Sequence, residues 1–201
     1  QPIGEPLRHD GTINDARFSA DGQRLVTASD DGTARLWDGR SGQPLGEPLR
    51  HQGAVRRAVF SPDGERLATA SADRQARLWN GRTGQALGEP LSHADTVNDV
   101  AFSADGQRVL TASDDGTARL WDVASRQPLG VVLAHPSPVS RALFCADDRR
   151  IVTVSLDHRV RLWDSRTGEC LHLLGGHANF VNSICFNPDG SILASGSSDQ
   201  A

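Results

Sequence analysis

Hydroxyl, imidazole and carboxylate side chains recur in sets along this chain of 201 residues. Such a combination could cleave acyl bonds, because in a hydrolase triad a carboxylate orients a histidine, which takes the proton of a hydroxyl nucleophile. Four of the sets also hold a tryptophan, and we call them tetrads. The tetrads are His9, Thr27, Asp31 and Trp37; His51, Thr69, Asp73 and Trp79; His93, Thr111, Asp115 and Trp121; and His135, Thr153, Asp157 and Trp163.

The spacing of the tetrads argues against this chemistry. Each lies 42 residues after the previous one, and His177, Ser195 and Asp199 continue the series without a tryptophan. An enzyme needs one nucleophile in one cleft, whereas a set that recurs in every unit is expected to serve the structure of that unit. We therefore predict that the tetrads are structural, that the chain is not an enzyme and that it has no catalytic residue.

A fixed period of this length is typical of one supersecondary unit repeated in tandem. We predict a single domain, 1–201, divided into units 1–42, 43–84, 85–126, 127–168 and an incomplete 169–201. In the third unit, runs rich in β-branched residues alternate with Gly-containing turns and predict strands at 96–102, 108–113, 118–122 and 127–133. Four-stranded antiparallel sheets in tandem can bury both faces by packing around an axis, so the predicted class is all-β.

Three of the predicted third strands end in Leu36-Trp37-Asp38, Leu120-Trp121-Asp122 and Leu162-Trp163-Asp164, and a Gly176-His177 dipeptide occurs in the fifth unit. By these residues the sequence resembles the WD-repeat propeller family over its whole length, in the bacterial type. Asn80 and Asp148 depart from the family pattern, as substitutes for a Trp-Asp aspartate and a turn glycine. The resemblance implies WD-repeat β-propeller blades, four full four-stranded repeats plus an incomplete fifth. It also implies that Asp, His, hydroxyl and Trp form a buried hydrogen-bond chain in each tetrad.

The number of strands that the first and last units supply predicts an open or partial propeller. The segment 1–8 matches the fourth strand of a unit, and the resemblance implies that such a leading strand completes the last blade. The fifth unit offers strands at 180–186 and 192–197 but no third strand beside them. We expect completion by further sequence of a parent protein or by a second copy of the chain.

The resemblance also implies a partner-binding face, formed by residues three and five positions after each His and one position before each turn Asp. The predicted face consists of Asn14, Asp30, Arg56, Asn98, Asp114, Pro138, Leu156, Phe180 and Asn182. The predicted function is a non-catalytic protein–protein interaction scaffold with an unidentified protein partner. Two alternatives are a regulatory or sensor propeller of a larger multidomain enzyme, and an excised or engineered propeller fragment that assembles in trans.

Composition argues against several functional classes. The net charge is −4, which does not predict nucleic-acid binding. All 21 basic residues are arginine, which suggests a GC-rich bacterial source and excludes a P-loop, because that motif needs a lysine. The histidines lie in separate units, so we expect no metal site, and no cofactor is indicated. Cys145, Cys170 and Cys185 are an odd number and do not predict a disulfide framework. We expect a cytoplasmic protein that does not bind membranes.

Overall fold

A computed structural model of the protein describes residues 6–187 and 192–199, which form five antiparallel sheets and no helix. We call the sheets blades 1 to 5. Blade 1 contains β1 (Ile13–Phe18), β2 (Arg24–Ser29), β3 (Thr33–Asp38) and β4 (Leu49–Arg50). Blade 2 contains β5 (Val55–Phe60), β6 (Arg66–Ser71), β7 (Gln75–Asn80) and β8 (Leu91–Ser92).

The later blades follow the same order. Blade 3 contains β9 (Val97–Phe102), β10 (Arg108–Ser113), β11 (Thr117–Asp122) and β12 (Pro128–Ala134). Blade 4 contains β13 (Val139–Phe144), β14 (Arg150–Ser155), β15 (Arg159–Asp164) and β16 (Cys170–Leu174). Blade 5 contains β17 (Val181–Phe186) and β18 (Leu193–Ser197). The all-β prediction is confirmed, and so is the prediction of a partial propeller, because the described sheets do not close on one another. The leading strand predicted at 1–8 lies largely outside the described residues.

The blades pack side by side around an axis. Their first strands contact one another in the order β1, β5, β9 and β13, so the first strand lies innermost in blades 1 to 4. Between neighbouring blades lies an apolar layer that both blades supply. The layer between blades 1 and 2, for example, contains Ala28, Leu36, Val55 and Leu67, all at most 2% exposed. Truncating such a leucine to alanine costs roughly 2–5 kcal/mol, so these layers dominate the stability of the array.

The fourth strand is shorter in blades 1 and 2 than the sequence of the third unit predicts. β12 has seven residues, whereas β4 has two, preceded by a lone bridge between Trp37 and Pro44. The cause is the Gly46-Glu47-Pro48 segment, since proline lacks the N–H that a sheet ladder requires. The positive φ of Gly46, 79°, does not distinguish the two cases, because Gly130 within β12 has a φ of 77°.

Asp148 explains one departure from the repeat pattern. Its φ is +54°, a conformation that glycine adopts at this turn in the first three blades. The Asp148 carboxylate accepts hydrogen bonds from the backbone N–H of Ala104, at 2.8 Å, and Asp105, at 3.4 Å, in the preceding blade. The turn therefore carries left-handed strain at a non-glycine residue and gains a contact between blades 3 and 4.

Polar contacts join the blades in pairs. Asn14 Nδ2 donates to Val55 O over 2.9 Å, and Arg24 Nη1 donates to Gly64 O and Gly81 O over 2.8 Å each, across the junction of blades 1 and 2. The Arg24 guanidinium also lies 5.4 Å from the ring centre of Phe60.

The junction of blades 3 and 4 repeats these contacts. Asn98 Nδ2 donates to Val139 O over 3.0 Å, Arg108 Nη2 donates to Asp148 O over 3.0 Å, and the Arg108 guanidinium lies 5.2 Å from the ring centre of Phe144. Arg66, the equivalent of Arg24 in blade 2, makes no such contact to blade 3 among the described residues.

This difference predicts unequal effects of two register-matched substitutions. Arg24→Ala should lower the free energy of unfolding by about 2–3 kcal/mol, because it leaves two buried carbonyls without a donor. Arg66→Ala should lower it by only about 0.5 kcal/mol, as for most side chains without buried partners. Urea unfolding followed by tryptophan fluorescence measures both. Equal losses would show that the polar contacts between blades 1 and 2 do not stabilise the fold.

Candidate functional site

A chain of hydrogen bonds links the tetrad of blade 3. Trp121 Nε1–H donates to Thr111 Oγ1 over 2.9 Å, and Thr111 Oγ1 lies 2.7 Å from His93 Nε2. His93 Nδ1 lies 2.9 Å from Asp115 Oδ2. Every donor finds an acceptor when the His93 proton is on Nδ1, because the Thr111 hydroxyl then donates to Nε2. The corresponding distances in blades 1 and 2 are 2.7 to 2.9 Å.

The aspartate and the histidine of this tetrad each have one protonation state at neutral pH. Burial acts to raise the pKa of Asp115, but hydrogen bonds from the Thr117 hydroxyl, the Ala94 N–H and His93 outweigh it and lower the pKa to about 2. Burial lowers the pKa of His93, which its contact with Asp115 opposes. At neutral pH the aspartate is therefore ionised and the histidine is neutral.

The tetrad of blade 4 differs from the arrangement that the resemblance implies. His135 Nε2 lies 2.7 Å from Thr153 Oγ1, to which Trp163 donates, but His135 Nδ1 lies 3.0 Å from the Leu133 carbonyl rather than near Asp157. The Asp157 carboxylate instead accepts two hydrogen bonds from Arg161, of 3.1 and 2.6 Å. The implied bond from Asp157 to His135 is therefore wrong.

The residue after the histidine explains this rearrangement. In blades 1, 2, 3 and 5 the backbone N–H of that residue donates to the turn aspartate, as Ala94 does to Asp115 over 3.1 Å. In blade 4 the residue is Pro136, which has no N–H. Without its tetrad partner, His135 has a pKa lowered to about 4 by burial and by the Arg161 guanidinium. In blade 5, His177 lies 3.0 Å from Asp199 and 2.8 Å from Ser195.

The tetrad hydroxyls are closed to substrate. Thr27, Thr69, Thr111 and Thr153 are at most 2% exposed, and each hydroxyl already contacts a tryptophan and a histidine. A nucleophile must reach a substrate carbonyl, so the tertiary structure gives a second argument, besides recurrence, for a structural role. Within residues 6–187 and 192–199 no three His, Cys, Asp or Glu side chains are grouped so that they could hold a metal ion.

A cleft of about 980 Å³ opens along the axis between the innermost strands. Most of the predicted partner-binding face lies in its lining, and the members are Asn14, Arg56, Asn98, Asp114, Leu156, Phe180 and Asn182. The two other predicted members, Asp30 and Pro138, lie outside the lining. These seven residues therefore contribute together to one concave surface.

Two predicted partner-binding residues have a structural role that the sequence analysis did not foresee. Asn14 donates to Asp30 over 2.8 Å and Asn98 donates to Asp114 over 2.7 Å, in addition to their bonds to the next blade. Arg56, at the same register, forms an exposed ion pair of 3.4 Å with Asp30. Among the predicted residues of the lining, Arg56, Leu156 and Phe180 are exposed and make no hydrogen bond to a neighbouring blade's backbone in the described part of the chain, so they are the ones that we test for partner binding.

A line of alternating charges on the innermost strands was also missed. Asp15, Arg57, Asp99 and Arg141 lie six residues after successive histidines, and this alternation is visible in the sequence. Asp99 is buried, and its carboxylate accepts a hydrogen bond from the backbone N–H of Ala142 over 3.1 Å. It also forms an ion pair with Arg57, whose Nε lies 2.8 Å away. The Arg57 Nε–H does not point at the carboxylate, so this ion pair is not a hydrogen bond. Burial raises the pKa of Asp99 to about 6, although Arg57 opposes the shift.

The comparisons with known proteins agree with this architecture. Residues 1–38, 42–80, 84–122, 126–164 and 168–201 match the family described as WD domain, G-beta repeat. A stretch of 34 residues is 59% identical to the guanine nucleotide-binding protein subunit beta of Oryza sativa, in both subspecies indica and japonica, and covers 17% of this chain and 9% of that protein. A stretch of 35 residues is 60% identical to WD repeat-containing protein 86 of Homo sapiens, again 17% of this chain and 9% of the relative. These relatives are eukaryotic, so they do not support the bacterial type that the sequence analysis suggested.

The rearranged tetrad predicts a difference between two aspartates. Asp115→Ala should lower the free energy of unfolding by about 1–3 kcal/mol, because His93 loses its buried acceptor. Asp157→Ala should instead cost stability through Arg161, because Asp157 accepts two hydrogen bonds from that guanidinium, whose side chain is 12% exposed, and none from His135. Chemical unfolding of Asp157→Ala in the parental and in the Arg161→Ala background measures this coupling, and the loss should be smaller in the second. A loss from Asp157→Ala that is the same in both backgrounds would contradict the arrangement in blade 4.

Asp99 predicts a specific pH dependence. Its pKa is higher in the folded than in the unfolded chain, so the folded state binds the extra proton and stability falls as the pH rises from about 4 to 6. Asp99→Asn removes this titration, so the stability of the variant relative to the parent should rise over the same interval. Unfolding midpoints measured at half-unit pH steps test this. A constant difference between variant and parent from pH 4 to 7 would refute it.

Proposed function

Because the chain belongs to the WD domain, G-beta repeat family, we propose that it is a non-catalytic scaffold that binds a protein partner at the axial cleft. The chain matches only 9% of the relatives' lengths, so their names do not specify a partner. The proposal is therefore carried by the cleft itself.

The observation behind the proposal is the contrast between recurring and varying positions. The tetrad residues repeat at a fixed register, whereas the position before each turn aspartate, which lines the cleft at Asp114 and Leu156, changes type from blade to blade. The position before the turn aspartate is Asp30, Ala72, Asp114, Leu156 and Ser198 in the five blades. Variation at these equivalent positions, of which Asp30, Leu156 and Ser198 are exposed, gives an otherwise symmetric array one distinct surface, which is what recognition of one partner requires.

We call Arg56, Leu156 and Phe180, which line the cleft, its rim. The rim has an apolar side and a cationic side. Leu156 and Phe180 are both exposed, and the Phe180 ring packs edge-on against His158 at 4.8 Å. Arg56 lies on the cationic side, where its ion pair with Asp30 is exposed and contributes at most about 1 kcal/mol. An incoming carboxylate can therefore replace Asp30 at little cost. We propose a partner segment with a large apolar side chain next to an acidic one.

The thiols support the proposed cytoplasmic location. Cys145, Cys170 and Cys185 are all free, and the last two are exposed. Burial raises the pKa of the Cys145 thiol to about 11, so it is protonated and unreactive. Exposed unpaired thiols are typical of proteins from reducing compartments.

The described residues include no helix with the length and apolar character needed to cross a bilayer.

Replacing the three rim residues should separate binding from folding. The variant Arg56→Ala, Leu156→Ala, Phe180→Ala should unfold at nearly the parental temperature, because all three side chains are exposed. It should also lose capture of the partner from a cell extract. The matched control is Arg40→Ala, Leu129→Ala, Val132→Ala, which removes the same kinds of exposed side chain outside the cleft lining and should retain capture.

A photo-crosslinking residue at position 180 identifies what touches the rim. The expected result is a covalent adduct with one protein that is absent when the residue is placed at position 129. Capture that survives the rim variant but is lost in the control would overturn the placement of the partner at the cleft.

A further inference from the structure

The axial cleft carries an excess of positive charge, although the whole chain has a net charge of −4. The charged residues of its lining are four arginines and two aspartates, namely Arg17, Arg56, Arg57, Arg141, Asp15 and Asp114. Because the walls of a cleft have a low dielectric constant, they concentrate the field of such charges and attract anions. Arg56 belongs to the partner-binding rim, and we call Arg17, Arg57 and Arg141 the axial arginines.

The alternation of charge along the innermost strands leaves one cation without a counter-charge. Arg57, on β5, lies between two carboxylates, with its Nε 2.8 Å from Asp99 and 3.9 Å from Asp15. Arg141, on β13, is the next cation of the series, and the following register position is the uncharged Ser183. Within residues 6–187 and 192–199 the Arg141 guanidinium forms no ion pair and donates no side-chain hydrogen bond. Its charge therefore remains uncompensated at the cleft.

The axial arginines also have unused hydrogen-bond donors. A guanidinium has five N–H donors, and its planar shape allows two of them to bind an oxyanion together. Arg57 is 12% exposed, yet it donates no side-chain hydrogen bond to the described residues, and its Nε is buried without a partner. Arg17 donates one bond, from Nε to Asp15 over 3.2 Å. The axial arginines therefore offer an anion both charge and directed donors.

Asp99 is the internal group with which an anion would compete. Its carboxylate is 1% exposed and accepts hydrogen bonds from the backbone N–H groups of Val100, over 3.0 Å, and Ala142, over 3.1 Å. The cations that act on it from neighbouring elements are Arg57 on β5 and Arg17 on β1. When Asp99 takes up a proton, Arg57 loses its closest counter-charge and the cleft becomes more positive.

We propose that the axial arginines form a binding site for a doubly charged oxyanion, and that ionised Asp99 competes with this ligand for Arg57. The ligand has the chemistry of sulfate or phosphate, and it is either free or carried by a protein partner. The site goes beyond the proposed partner-binding rim, because none of its arginines belongs to the rim.

The distribution of charge favours a compact ligand and predicts how pH changes its affinity. Nucleic acid would need basic residues spread over an extended surface, whereas these cations converge in one cleft of an acidic chain. The axial arginines outnumber the carboxylates of Asp15 and Asp99 by one, and protonation of Asp99 raises this excess to two. Burial raises the pKa of Asp99 to about 6, so the affinity for the anion should increase as the pH falls through this value.

Sulfate is a suitable probe, because its charge does not change over this pH interval. In a nuclear magnetic resonance titration of the whole chain, backbone amides of β5 and β13 should shift and saturate with sulfate, but not with sodium chloride of the same ionic strength. Arg141→Gln should weaken sulfate binding by about tenfold, because it removes one cation from the site. Its thermal melt should be parental, because Arg141 has no internal partner to lose.

Arg40→Gln is the matched control, since Arg40 is exposed and lies outside the cleft lining, and this variant should bind sulfate like the parent. Arg57→Gln provides a second test of the site, with its fold checked by the melt because Asp99 loses a counter-charge. A titration without saturation, or sulfate binding that is as tight in Arg141→Gln as in the parent, would overturn the proposal.

The pH dependence of sulfate binding tests the role of Asp99. Between about pH 5 and about pH 7.5 the parent should lose about threefold or more in affinity, as expected when one carboxylate ionises beside the site. Asp99→Asn should bind at the higher pH as tightly as the parent at the lower pH. His158→Gln is the control, because His158 packs on Phe180 outside the site, and it should keep the parental pH dependence. The same pH dependence in Asp99→Asn as in the parent would refute the competition.

Capture of the partner from a cell extract distinguishes the two sources of the oxyanion. If the partner carries it, sulfate should release the partner, whereas sodium chloride of the same ionic strength should not. If the anion is free, capture should be equal in the two salts. The proposed function is judged separately by the rim variant, because the sulfate titration needs no partner.

Discussion

Burial of sheet faces against neighbouring sheets is the constraint on which this structure depends. A four-stranded sheet of this size has an apolar layer on each side, and an isolated sheet would expose both layers to water. The buried clusters accordingly lie between blades, not within them, and each combines residues from two successive units. The blades are thus the repeating element of the sequence, while the junctions are the elements that hold the fold together.

The hydrogen-bond chains solve the problem that this burial creates. A turn aspartate, a histidine and a threonine hydroxyl beside a buried tryptophan would be costly in a dry environment without partners, because an unsatisfied buried polar group loses about 1–3 kcal/mol. In blades 1 to 3 each group satisfies the next one. Blade 4 shows how much tolerance the scheme has, because Pro136 removes one donor and both His135 and Asp157 find other partners.

The blades share one architecture but differ in their junction contacts and in the residues that they contribute to the cleft. Polar contacts at the junctions of blades 1 and 2 and of blades 3 and 4 have no full equivalent between blades 2 and 3, where the buried pair of Arg57 and Asp99 occupies the axis. The rim of the cleft is likewise apolar beside blades 4 and 5 and charged beside blades 1 and 2. Such asymmetry lets a repetitive chain present one distinct cleft.

The sequence by itself determined the features that depend on contacts within a unit. The all-β class and the third strands follow from local pattern, and β11 at Thr117–Asp122 differs by one residue from the prediction. The hydrogen bonds of the first three tetrads join residues at constant separations of 22, 18 and 10 positions, so a register repeated in the sequence reappears as a repeated contact.

Only the tertiary structure decided which residues meet across a junction. Asn14 donates to a carbonyl 41 positions away, and Arg24 to one 57 positions away, through the rotation of one blade against the next. Burial of the threonines, and with it the case against catalysis at these hydroxyls, likewise depends on the packing of whole blades. The missing bond between Asp157 and His135 depends on both levels. The sequence indicates it, because Pro136 has no N–H to hold Asp157, but only the tertiary structure shows that Arg161 is the new partner of Asp157.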